Sequence, residues 1–185
     1  MRTVIAIIAA ELSRSNTGKV ILGPETIAVC NNALDYPADL LVKAFMGNVE
    51  DHVILGDYYY AVMACKPPNQ TDGQPMCELM KKYLMSKGVE EGWILTNVAT
   101  HFHTNGELGA LASLVEERKF DRVIIVARWW HMPRVKFLWL FHQIHFTRKV
   151  EEVFVNAPSK YWVKIFTDPT LGIIHNIFRW LVKGH

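Results

Sequence analysis

Three short stretches carry residue types that can bind or move charge. The first is Arg128-Trp129-Trp130-His131-Met132-Pro133-Arg134. It follows an apolar run at 121–127, and Pro133 suits the first turn of a helix. A helix start offers unpaired N–H groups and a partial positive charge, so it attracts anions. Arg128 and Arg134 can neutralise a phosphate or carboxylate in two-point fashion, His131 can donate or exchange a proton, and Trp130 can stack on a ring. The plainer alternative makes His131 a helix cap, Arg134 the partner of a surface acid, and the tryptophans packing residues.

The second stretch is His101-Phe102-His103-Thr104-Asn105-Gly106-Glu107. Thr104 with Glu107 three residues on matches a capping box opening a helix, which leaves His101 and His103 unexplained. With His131 they make a candidate hydrolytic metal set, although the spacing fixes no third ligand. The third is Glu78, read in the first turn of a helix, where the dipole favours an acid. Its chemical reading is a general base paired with His131. Cys65 and Cys77 read as small buried residues rather than nucleophiles. GxSxG, P-loop and GxGxxG signatures are absent, so those hydrolase and nucleotide-binding classes lack their marks.

These groups need elements to hold them. Strand-like runs at 4–10, 26–30, 52–56, 93–96, 121–127 and 152–155 alternate with helical patterns at 37–46, 75–87, 104–119 and 133–146. Residues 57–75 read as a connection. The alternation predicts an α/β Rossmann-like three-layer sandwich, with a mainly parallel sheet and helices on both faces. Ligands of such sheets bind beyond the carboxyl ends of the strands. The expected crevice therefore gathers post-strand residues: Asn31 and Asn32, Gly56 and Asp57, Thr104 and Asn105, and Arg128, Trp130 and Arg134.

Composition sets the limits. The chain has 185 residues, half of them hydrophobic and 21% charged, which suits one folded domain spanning 1–185. Three cysteines rule out a disulfide framework and fit a reducing, cytoplasmic setting. A net charge of +2 argues against a nucleic-acid partner. That charge is unevenly spread, −3 over residues 1–100 and +5 over 101–185. The run at 4–10 is too short to span a membrane. Residues 171–183 carry apolar positions at helical spacing beside Arg179 and Lys183, which reads as a helix packed on the domain or a weak membrane-surface contact.

Three of these blocks also resemble a bacterial domain family of unknown function, the YdcF-like family that includes YdcF, SanA and ElyC. They are Glu78 with Leu84-Met85-Ser86-Lys87-Gly88-Val89, then His103-Thr104-Asn105-Gly106-Glu107, then Trp130-His131-Met132-Pro133-Arg134. The likeness covers about 26–145 and leaves a C-terminal helical extension at about 158–185. The chain departs from the family at Cys30-Asn31-Asn32 (a Gly-rich turn there), at Leu55-Gly56-Asp57 (Ser-Gly-Gly) and at Glu107 (Asn). The resemblance implies a Rossmann-like domain with a small-ligand crevice. It also implies a nucleotide-like ligand such as S-adenosylmethionine and, for some members, a link to envelope maintenance. Glu78 and His131 would be the acid–base pair of any chemistry.

Overall fold

The computed structural model describes residues 1–8, 12–45, 57–63, 75–97 and 103–158, with backbone alone at 38–45 and at residue 97. Five strands form one sheet: β1 (Arg2–Ile8), β4 (Asp57–Met63), β5 (Ile94–Asn97), β6 (Arg122–Arg128) and β7 (Glu151–Ala157). Their order is β5-β4-β1-β6-β7, and every neighbouring pair is parallel. The chain steps outward from β1 to β4 and β5, then crosses back to β6 and β7. Strand order therefore reverses between β1 and β6, the place where open α/β sheets hold ligands.

The middle of the sheet is apolar on both sides, as a parallel sheet covered on both faces requires. Val4 to Ile7 and Val123 to Ala127 are completely buried. Alternate residues feed two separate cores. Ile5, Ile7, Ile124 and Val126 pack with α1 (Pro24–Phe45) and α2 (Met76–Ser86). Val4, Ala6, Val123 and Ile125 pack with α3 (Thr104–Arg118) and α4 (Met132–Gln143). These two cores make the three-layer sandwich that the alternation predicts.

Several sequence expectations change. Residues 26–30 are helical, not a strand, because α1 already begins at Pro24. Buried Thr26, Val29, Cys30 and Ala33 repeat at i, i+3, i+4 and i+7, the stripe of a helix packed on a sheet. Pro37 sits inside α1 rather than opening it. The second strand is β4 at Asp57–Met63, within the stretch read as a connection. The run at 52–56 lies outside the described residues, as does the segment 171–183.

An unforeseen hairpin, β2 (Leu12–Arg14) with β3 (Val20–Leu22), stands between β1 and α1. Gly18, at φ +80, gives its turn the left-handed residue it needs. Gly88, at φ +94, ends α2 in a Schellman motif: Gly88 N–H donates to Met85 O and Val89 N–H to Leu84 O. The Leu84…Gly88-Val89 pattern is thus a helix stop, with Leu84 and Val89 sharing one apolar cluster. No helix among the described residues is long and apolar enough to cross a membrane.

The carboxyl rim is closed by Arg128 at the end of β6. Its Nε lies 2.6 Å from Glu25 Oε2, with the two side chains only 1% and 5% exposed. The same guanidinium donates to Pro24 O at 3.3 Å and to Pro158 O. One cation thereby joins the end of β6, the start of α1 and the end of β7. Removing one partner strands a buried charge, which costs about 3–5 kcal/mol. Arg128→Met is expected to lose that much in urea denaturation, and the double change Arg128→Met/Glu25→Leu to regain most of it. Equal losses in the single and double variants would contradict the assignment.

Candidate functional site

Strand β6 delivers Trp129, Trp130 and His131 directly to the rim. Trp129 N–H still pairs with Ala157 O, and His131 N–H folds back to Arg128 O at 2.9 Å, turning the chain into α4. His131 takes the N-cap position of α4, yet its side chain does not cap that helix. Instead His131 Nε2 lies 3.3 Å from Thr104 Oγ1, the first residue of α3. Trp130 is 7% exposed, and its ring stands edge-on to the imidazole at 5.5 Å between centroids. Trp130 therefore packs behind His131 and holds its ring plane; it is not presented as a stacking surface. Arg134 sits half-buried in the first turn of α4, and no acid occupies that turn. A cation at a helix start opposes the dipole, so an anion is the group this turn suits.

The start of α3 is built differently. The N-cap is His103, not Thr104: His103 Nδ1 accepts the Gly106 N–H at 3.1 Å. The capping-box expectation is corrected accordingly, and Glu107 is instead a buried acid of the first turn. Asn105 Oδ1 pairs with His142 Nε2 at 2.9 Å. His131 and His142 lie at opposite ends of α4, a helix of 12 residues and about 18 Å. Both reach adjacent residues of α3, so the first turn of α3 is tied to both ends of α4. A Cβ on Gly109 would meet His142 Cε1 at 3.2 Å, so the glycine makes room for that ring.

Other expected site residues fall elsewhere. Asn31 and Asn32 are not post-strand residues but lie in α1, about 10 Å from its start. Asn31 Oδ1 accepts from Tyr83 Oη at 2.7 Å, tying α1 to α2, and Asn32 Nδ2 donates to Ala28 O. Asp57 opens β4 opposite Arg2, on the amino rim and about 20 Å from the carboxyl rim. Gly56 and His101 lie outside the described residues. Arg128 is committed to Glu25, as above. Glu78 does occupy the first turn of α2, half-buried on the face opposite α3 and α4.

Electrostatics narrow the chemistry further. Burial pushes the Cys30 thiol up to about 12, against a smaller opposing pull from Arg128. Burial and then Glu78 raise the Cys77 thiol. Neither is a thiolate nucleophile near neutral pH. No group of three or more metal-ligating side chains gathers among the described residues. The Glu25–Arg128 pair also occupies the start of α1, where dinucleotide-binding folds place a pyrophosphate. Neither Glu25 as part of the rim nor His142 carries a local signal in the sequence. Pro24-Glu25 is nevertheless a helix-start pattern.

Comparisons with family models, with curated proteins and with solved structures return no match to this chain.

If Thr104 orients His131, Thr104→Val should alter the 15N imidazole spectrum of His131. The same change should cost about 0.5–1.5 kcal/mol, the worth of one such bond. An unchanged His131 spectrum would show that the ring is held by its packing alone.

Proposed function

We propose that the junction of α3 and α4 binds a small anionic, nucleotide-like ligand at the carboxyl rim of the sheet. The observation that carries this reading is the Thr104–His131 contact, which joins two helix starts beside the point where strand order reverses. Arg134 supplies charge from the first turn of α4, and His131, Thr104 and Asn105 supply polar atoms. The resemblance to the YdcF-like family supports the same rim and makes S-adenosylmethionine a ligand to try first, in a bacterial, cytoplasmic setting with a link to envelope maintenance. If the bound molecule is also transformed, His131 and Glu78 are the acid–base pair to test, each at a helix start but on opposite faces of the sheet.

Binding is measured by calorimetry and thermal shift with inorganic phosphate, a nucleoside monophosphate and S-adenosylmethionine. His131→Ala and Arg134→Ala are each expected to weaken the ligand that binds by roughly ten-fold or more, the worth of a hydrogen bond to a charged group. His131→Ala should cost the free protein about what Thr104→Val costs, about 0.5–1.5 kcal/mol, since both remove the same bond. Equal loss of stability in both variants, with affinity preserved, would assign both residues to the scaffold.

A further inference from the structure

Three imidazoles converge on the first turn of α3, and their bonds to that turn differ in how they meet a proton. His142 Nε2 faces the carbonyl oxygen Asn105 Oδ1, so that bond is donated by the ring and survives a second proton. His131 Nε2 faces the Thr104 hydroxyl, which can donate or accept. His103 is different, because Nδ1 receives the backbone N–H of Gly106. That geometry requires a lone pair on Nδ1, hence a neutral ring.

Caps of helix starts are usually Ser, Thr, Asp or Asn, whose acceptor oxygens do not titrate between pH 5 and 8. Histidine in that position introduces a titration. A proton on Nδ1 converts the acceptor into a donor facing another donor. It also places a positive charge at the positive end of the α3 dipole. Both effects have the same sign. The cap holds while the ring is neutral and is lost when Nδ1 takes a proton.

We propose that His103 is a proton-sensitive latch on the start of α3, closed at neutral pH and released on mild acidification. Thr104 and Asn105 follow His103 directly, so release loosens their bonds to His131 and His142 of α4. Charged and titratable groups at the two helix starts include Glu107 on α3 and His131 and Arg134 on α4, with His142 of α4 bonded to Asn105. Glu107 favours a nearby cation, whereas the three α4 groups oppose one. The regulatory consequence, weaker ligand binding at acid pH, rests on the proposed function; the latch itself does not.

The test is amide hydrogen exchange of Gly106 and Glu107 between pH 5.5 and 7.5, corrected for intrinsic exchange and made on the whole chain. The wild type should lose about five-fold in local protection toward acid, the change that an N-cap of ordinary strength implies. His103→Asp and His103→Asn keep an acceptor that does not titrate in this window, so their profiles should be flat. His131→Asn and His142→Gln should keep the wild-type slope. A flat wild-type profile, or the same slope in His103→Asp, would overturn the latch. Failure of the ligand titrations alone would leave it standing and count against the binding site.

Discussion

The buried ion pair between Arg128 and Glu25 sets the geometry of the carboxyl rim. A parallel sheet leaves strand ends and helix starts together at one edge, and their polar groups need partners. Here one guanidinium at the end of β6 reaches α1 and the residue after β7. Two consequences follow. The rim around β6 becomes rigid enough to hold the Trp129–His131 turn in place. The start of α1 is also filled by the protein's own carboxylate.

The starts of α3 and α4 are complementary. That of α3 is closed by its own side chains, with His103 as cap and Glu107 as the acid of the first turn. That of α4 has neither an acid nor a side-chain cap from His131, and it carries Arg134. The imidazole that could have capped α4 is turned onto Thr104 and braced by Trp130. Because Thr104 and Asn105 bond His131 and His142 of α4, the state of the α3 cap bears on both helices.

Much of the architecture was legible because its signals are local. β1, β6 and β7 are apolar runs of strand length. α2 and α3 show helical spacing, and Gly88 marks where α2 stops. The failures have physical causes as well. Thr26, Ile27 and Val29 look strand-like over five residues, yet over eight the buried positions 26, 29, 30 and 33 follow the helical period. Pro37 imitates a helix start although α1 runs through it. In β4 the three tyrosines at 58–60 are only partly buried, which makes the strand less conspicuous than the aliphatic run before it. Once β4 and α1 shift, Asp57 moves to the opposite rim and Asn31 moves into the α1–α2 contact. The positions of His131, Thr104 and Arg134 at helix starts were readable because strand-to-helix turns announce themselves. The meeting of His142 with Asn105 was not, since it depends on packing between helices that no short window of sequence encodes.

The proposed site is spatial: an anion would meet this fold at the joined start of α3 and α4. The 15N-labelled protein, titrated with inorganic phosphate and followed by amide chemical shifts, reads this out residue by residue. Shifts are expected to concentrate at Thr104–Gly106 and at His131, Met132 and Arg134, with β4 near Asp57 and α1 near Asn31 undisturbed. Shifts centred on Gly23–Thr26 at the start of α1, or on the amino rim, would contradict it.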